Sequence, residues 1–394
     1  MTRTTFVFGA CLVATLSTVA CQEQVTAPPL APSAPRAATA SISNPTLDDR
    51  GLGALTPPRA AVVVDFTWDA ADRAINPDDY VCNPNSPLTN WLNAEIAATL
   101  AVEPNLFFAM YDRAADILPT WEALLFQTSA QPQYYGYSGQ FTDEMVRLET
   151  SVKEFFDIPS EDIQVLAMHG TMLSDAGRMM RTYEALGLPH DSAYSWAATV
   201  RSSLLHSRTM RGGNWAFWTF NAVSFRTTDN SLPPKIVMGD GLLEGYAAIG
   251  YGDVAPGSIF AHEYAHQIQF ERGYFDDLPD EATPPERTRY TELMADAYSA
   301  YYMTHVGGAH ANPERVHDFL EVFFQIGDCA FTNQGHHGTP NQRLAAARYG
   351  FQLAYEDLQL YDGRILSTEE FHDLFVKKFP ELVAPDVPVV TGHH

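Results

Sequence analysis

Apolar residues recur at helical spacing through most of the chain from about residue 88 to residue 379. In Thr142–Phe156 they fall three or four positions apart, which indicates an amphipathic helix. A capping box, Ser367-x-x-Glu370, predicts a last helix that extends to Phe379. The same reasoning predicts the following helices: Leu88–Leu100, Asn105–Leu118, Ser160–Leu186, Asp191–His206, Asn312–Ile326 and Pro340–Glu356.

Strand-like runs are few. Ala61–Thr67 is rich in β-branched residues, Trp215–Phe225 is aromatic, and Lys235–Met238 precedes Gly239-Asp240-Gly241. The predicted fold class is therefore α+β and predominantly helical, with a small sheet. One of the last two strands either borders a binding cleft, where its free backbone groups could take an extended peptide, or lies inside the sheet.

The first 59 residues are predicted to lie outside the folded body. Residues 1–20 have one basic residue, an apolar run and small residues, which is typical of a secretory signal. Thr18-Val19-Ala20-Cys21 resembles a bacterial lipobox, in which Cys21 is acylated. The expected location is the bacterial cell envelope, lipid-anchored at the outer membrane or in the periplasm, and the alternative is ordinary cleavage and secretion. Residues 21–59, rich in Ala and Pro, predict a disordered tether.

The remaining composition suits a globular body. Of the 394 residues, 46% are hydrophobic and 18% are charged. The formal net charge of −24 argues against binding to nucleic acid and against docking on anionic lipid, so that membrane attachment is expected only through an acyl anchor. We divide this body into a helical N-terminal region, 60–206, a metal-binding region, 207–385, and a tail, 386–394.

Two cysteines, Cys82 and Cys329, remain once the signal and the lipobox are set aside. In an oxidising compartment they could form one long-range disulfide. The alternative is that both are free and buried, since their spacing does not suit a metal site.

The motif His-Glu-x-x-His, with His262, Glu263 and His266, lies in a predicted helix that begins near Pro256 and ends at Gly273. Histidines at i and i+4 project from one helical face, so their imidazoles can converge on a single ion. Zn²⁺ accepts such nitrogen ligands, and Glu263 is placed to take a proton from water at the ion. The alternative is two core histidines, with Glu263 at a solvated edge.

A catalytic zinc site needs a third protein ligand and one open position. Glu292-Leu293-Met294-Ala295-Asp296 places two acids one turn apart on the same helical face. We expect Glu292 to bind the metal and Asp296 to accept the outer N–H of a ligand histidine. The alternative is an ordinary exposed acidic pair.

These residues resemble the gluzincin arrangement of thermolysin-type zinc peptidases. The segment from Ser258 to about Leu353 is more similar to the bacterial neutral zinc metallopeptidases, whose third motif, His-Gly-Thr-x-x-Gln-Arg, is His337–Arg343 here. The resemblance covers about a quarter of the chain. It implies a zincin-like metallopeptidase fold, one Zn²⁺ ion, and these roles: His262, His266 and Glu292 as metal ligands, and Glu263 as general base.

Two further histidines, His336 and His337, lie between glycines. One of them could donate to the oxyanion that develops during acyl transfer, or His337 could simply cap the following helix. His169 is predicted to be a packing histidine. The predicted activity is zinc-dependent hydrolysis of a peptide or protein substrate, with Glu263 moving the proton. The alternatives are a non-catalytic envelope lipoprotein with a structural metal and the hydrolysis of a non-protein amide.

Overall fold

Helices dominate the structure, a computed structural model that describes residues 80–386 except 84, 228, 280–281, 312–314, 330, 332–334 and 361–362. This part of the chain is α+β and predominantly helical with one small sheet, as predicted. Its helices and strands, numbered in chain order, are α1 Pro87–Val102, α2 Pro104–Tyr111, α3 Leu118–Phe126, α4 Thr142–Phe155, β1 Gln164–Met168, α5 Ala176–Ala185, α6 His190–His206, β2 Ala222–Phe225, β3 Lys235–Gly239, α7 Asp240–Ala248, α8 Ala255–Arg272, α9 Pro284–Thr304, α10 Val316–Gln325, α11 Pro340–Leu360 and α12 Thr368–Leu382.

The predicted signal segment, the lipobox with Cys21, the tether and the strand candidate Ala61–Thr67 all lie outside the described residues, as does the end of the tail. Within the residues that are described, no helix combines the length and the apolar character needed to cross a bilayer.

Strand β3 lies at the centre of the sheet, whose order is β1-β3-β2. It runs parallel to β1 and antiparallel to β2. Helix α8 is fastened to the sheet by Gln267, whose amide nitrogen donates to Ser224 Oγ at 2.6 Å and to the Lys235 carbonyl at 3.1 Å. In the described part of the sheet, β2 is therefore an outer strand next to α8, and peptide binding along it stays a prediction.

The single helix predicted over Ser160–Leu186 is wrong. The chain there forms β1, then a 3₁₀ turn at Gly170–Ser174, and only then α5. The periodicity of a short apolar run cannot distinguish a buried strand from a helix. Here the run forms a strand because β3 pairs with it in parallel.

Two other predicted elements are only partly right. Of the strand-like run Trp215–Phe225, only Ala222–Phe225 is a strand, because Ala216–Thr219 forms a 3₁₀ turn packed among aromatic rings. The helix predicted over Asn105–Leu118 ends at Tyr111, and a new helix, α3, begins at Leu118. Between them Ala114 has φ of 55°, a backbone conformation that no α-helix can contain.

The two helices that carry the metal motif have well-defined ends. Helix α8 stops at Gly273, whose φ of 75° is the left-handed conformation that glycine adopts without strain. Helix α9 begins after Thr283, whose backbone N–H donates to the Glu286 carboxylate at 2.7 Å. Helix α11 crosses α9 so closely that a Cβ added at Gly350 would lie 1.9 Å from the Ala297 carbonyl oxygen.

Cys82 and Cys329 form a disulfide, so the first of the two alternatives for this pair is correct. The bond joins the segment before α1 to the connection between α10 and α11. Ser86 Oγ adds a hydrogen bond of 2.8 Å to the Gln325 carbonyl, which ties the start of α1 to the end of α10.

Candidate metal centre

The structure brings His262 and His266 of α8 together with Glu292 of α9. The Nε2 atoms of the two histidines lie 3.1 Å apart. Glu292 Oε2 lies 3.3 Å from His262 Nε2, and Oε1 lies 3.4 Å from His266 Nε2. All three side chains are buried, with no more than 1% of each residue exposed. Two neighbouring helices therefore aim three ligand atoms at one point.

These separations fit a bound ion. Two ligand atoms that each lie about 2.0–2.1 Å from a tetrahedrally coordinated ion are about 3.3–3.4 Å apart. Both carboxylate oxygens of Glu292 are buried without a hydrogen-bond partner among the described residues, although they contact charged groups. Because a buried carboxylate whose oxygens accept no hydrogen bond is costly, a metal ion bound by this group would stabilise it.

The proton on His266 is placed by Gln269. The amide nitrogen of Gln269 donates to the Thr291 carbonyl at 2.7 Å, so its oxygen must face His266 Nδ1, 2.8 Å away. Nδ1 therefore donates, and Nε2 keeps its lone pair. The lone pair of His266 Nε2 faces His262 Nε2 at 3.1 Å, so it can accept a proton from that ring or bind a cation placed between the two nitrogens.

Asp296 supports the other imidazole. Its Oδ1 lies 2.9 Å from His262 Nδ1, the position that the sequence pattern predicts. The same carboxylate receives two hydrogen bonds from Arg343, which is buried in the first turn of α11. Nδ1 thus has an oxygen close by in both ligand histidines, through a hydrogen bond in His266 and an ion-pair contact in His262, and Nε2 of each ring faces Glu292.

Charges inside the cluster shift the pKa values of its members. Burial by itself raises the pKa of Glu292, but the nearby His337, His262 and His266 outweigh it and hold the pKa well below its usual range. Burial lowers the pKa of His262, and Asp296 and Glu292 reverse this and raise it. The surroundings therefore favour ionised carboxylates beside positive charge.

Glu263, the predicted general base, follows His262 in α8 and is 1% exposed. A carboxylate inside a helix–helix interface is expensive to bury unless it has a partner or a function. The two acids predicted on α9 are likewise interior, so the alternatives that place Glu263, Glu292 or Asp296 at a solvated surface are wrong.

The predicted histidine pair is held by an acid that the sequence analysis did not identify. Asp328 accepts from His336 Nδ1 at 2.7 Å and from His337 Nδ1 at 3.1 Å, and the His337 backbone N–H donates to the same carboxylate at 2.8 Å. Burial lowers the pKa of His337, but Glu292 and then Asp328 raise it to about 9. The negative charges of Glu292 and Asp328 therefore favour the protonated form of His337.

The alternative in which His337 caps α11 is wrong. The cap is Thr339, whose Oγ1 accepts from the Gln342 backbone N–H at 3.2 Å, while the Gln342 side chain accepts from the Thr339 N–H at 3.1 Å. This reciprocal pair fixes the first turn of α11.

His169 packs against an aromatic ring, as predicted, and it is also half-buried beside an acid, Asp240. Its Nδ1 lies 2.7 Å from Asp240, and its ring stacks on Tyr134 with 3.8 Å between centroids. The parallel register of β1 and β3 pairs Met168 with Gly239 and so brings the two following residues side by side. Neither His169 nor Asp240 belongs to the metal-binding group found among the described residues.

Sequence reasoning did not assign roles to Gln269, Asp328 and Arg343. Arg343 lies inside the quoted His337–Arg343 motif and Gln269 follows His266 by three residues, so their positions were a usable signal. Asp328 lies in no motif, and its contacts depend on the path of the chain between α10 and α11.

No protein-family model, curated protein or solved structure matches this chain. The similarity to the bacterial neutral zinc metallopeptidases thus rests on the residues quoted above and stays a prediction. The structure establishes a less specific statement, that His262, His266 and Glu292 form a buried group that could hold a metal ion.

Proposed function

We propose that this protein is a zinc-dependent hydrolase that cleaves peptide bonds in peptide or protein substrates of the bacterial cell envelope. The observation that carries the proposal is the convergence of His262, His266 and Glu292 at ligand spacing, with Glu263 beside them in α8. Two imidazoles and one carboxylate are a ligand set that catalytic zinc uses, and it leaves one coordination position for water or substrate.

The residues around the ion have separable roles. When bound, Zn²⁺ supplies Lewis acidity, which polarises a carbonyl and acidifies water toward a pKa of about 7. Gln269 and Asp296 fix the ring orientations of the two ligand histidines. Glu263 takes the proton from the attacking water and passes it to the leaving amine. His337, which is buried and whose protonated form is favoured, is the candidate donor to negative charge that develops on the substrate oxygen.

One observation favours a second candidate, a structural metal in a non-catalytic envelope protein. The three ligands and Glu263 are each no more than 1% exposed, whereas a hydrolytic site must admit water and substrate. In this candidate the ion fastens α8 to α9 and a fourth ligand saturates it. For either candidate we propose acylation at Cys21, with secretion as the alternative, so that the membrane is contacted only through the anchor.

The test is Glu263→Gln in the purified protein, with metal content measured beside chelator-sensitive cleavage of casein. We expect about one zinc per chain and a loss of cleavage by a factor of about 10²–10⁴, the usual contribution of general acid–base catalysis. Glu271→Gln, in the last turn of the same helix, is the matched control and should cleave normally. Full activity of Glu263→Gln would exclude the proposed role, and zinc without cleavage by any of the three proteins would favour the structural candidate.

A further inference from the structure

Arg343 in α11 brings a positive charge to the metal-binding group from outside α8 and α9. Its Nε donates to Asp296 Oδ2 at 2.7 Å, and its Nη2 donates to Asp296 Oδ1 at 2.6 Å. The same Nη2 lies 3.3 Å from Glu292 Oε2. Arg343, Asp296 and Glu292 are fully buried. A forked pair of hydrogen bonds therefore occupies both oxygens of Asp296.

Asp296 lies next to the metal-binding group but outside it, because among the described residues only ligand atoms of His262, His266 and Glu292 lie within 4.8 Å of one another. It lies one helical turn after Glu292, and its Oδ1 is 2.9 Å from the ring of a ligand histidine, His262. Carboxylates bind zinc readily, and a fourth protein ligand would convert an open centre into a closed one. Whether Asp296 supports His262 or binds the ion itself thus decides between catalytic and structural chemistry.

The fold holds Arg343 firmly in this position. Thr339 and Gln342 cap the first turn of α11, which sets the direction in which the Arg343 side chain leaves the helix. Farther along, the close contact between Gly350 and Ala297 fixes the distance between α11 and α9. Arg343 therefore meets Asp296 as part of a rigid helix pair.

We propose that Arg343 is a positioning residue that keeps the fourth coordination position of the metal centre open. It does so by holding Asp296 as the hydrogen-bond acceptor of His262 and away from the ion. This inference rests on the proposed metal centre and adds a condition for its activity. Lysine cannot replace arginine here, because one ammonium group cannot span both oxygens of the carboxylate with planar, fork-like geometry.

Charge supports the same conclusion. Asp296 and Glu292 bring two negative charges into a fully buried site, and Arg343 compensates one of them. Without the guanidinium, Asp296 keeps His262 as its partner among the ion pairs described, and a bound ion would compete for the carboxylate. Removing one partner of a buried ion pair is strongly unfavourable, so we expect the Asp296 carboxylate to turn toward the metal when Arg343 is removed.

The test uses the full-length protein loaded with Co²⁺ in place of zinc, because the visible spectrum of Co²⁺ reports its ligands. Azide is the probe for an open position. We expect azide to change the spectrum of the wild-type protein and to bind Arg343→Met about 10- to 100-fold more weakly, the usual effect of changing a residue that supports a metal ligand. The double variant Asp296→Asn/Arg343→Met should recover azide binding, because asparagine carries no charge to offer the ion.

Arg343→Lys retains a positive charge in the core. Azide binding is measured in this variant if Arg343→Met does not fold. We expect it to bind Co²⁺ and to show weakened azide binding, since charge alone does not replace the fork. Wild-type azide binding in either folded, metal-loaded variant would overturn the proposal. Metal content is measured before azide is added. A wild-type protein that takes up no metal would disprove the metal centre rather than the role of Arg343.

Discussion

Replacing Gly350 with alanine tests how tightly α11 and α9 are joined. The added Cβ would lie 1.9 Å from the Ala297 carbonyl oxygen and 2.8 Å from its carbon. Ordinary contact begins near 3.5 Å, so the helices must separate by roughly 1.5 Å. Overpacking costs about 1–3 kcal/mol or more, and the better helix propensity of alanine returns about 1 kcal/mol. Because a 1.9 Å overlap with backbone belongs at the upper end of that range, we expect a net loss of about 2 kcal/mol or more in the free energy of unfolding.

The displacement should also reach the metal centre. Arg343 precedes Gly350 by seven residues, or about 10 Å along α11, so separation of the helices lengthens the Arg343–Asp296 hydrogen bonds. Unfolding midpoints in urea and zinc content are the two measurements. Gly257→Ala in α8 is the matched control, because its Cβ would meet only the end of the Met303 side chain, at 3.0 Å, which can move. Equal stability and equal zinc content in the two variants would refute the reasoning.

Two other predictions concern stability. Glu103 accepts hydrogen bonds from Ser207 and Thr209; burial raises its pKa, but these bonds lower it to about 2. Glu103→Gln should therefore lower the free energy of unfolding by about 1–2 kcal/mol at neutral pH. This difference should shrink as the pH falls from about 4.5 toward about 2, because protonation of Glu103 removes the same stabilisation from the wild type. Urea midpoints measured across that range would contradict us if the difference stayed constant. Replacing Cys82 and Cys329 together with serine should cost about 2–5 kcal/mol, because the bond restrains a very long loop of the unfolded chain. Reduction of the wild type should lower its midpoint equally, and unchanged midpoints would show that the bond does not stabilise the fold.

Local signals predicted the elements whose ends are made by neighbouring residues. The Ser367–Glu370 capping box begins α12, and Gly273 ends α8, because both features act within one helical turn. A signal of the same kind was missed at Asp175, whose carboxylate caps α5 by accepting from the Gly177 N–H at 2.9 Å. It places the start of a helix inside the segment predicted to be one long helix.

Long-range partners explain the rest of what was missed. The apolar residues of β1 become a strand because β3, about seventy residues later, pairs with them. At the candidate centre, the i, i+4 spacing of His262 and His266 is local and could be recognised in the sequence. The hydrogen bonds between Arg343 and Asp296 join residues 47 positions apart and could not. Asp328 holds His337 through a turn of the connecting chain. Motifs identify which residues take part, and tertiary packing assigns their partners.

The enclosure of His262, His266 and Glu292 has a kinetic consequence. At no more than 1% exposure, a chelator cannot touch these side chains until α8, α9 or their neighbours move. An ion held there would escape at the rate of that opening, so that its half-life would not depend on how much chelator is added. The rate at which metal leaves the isolated protein would then report how often the helices around it open.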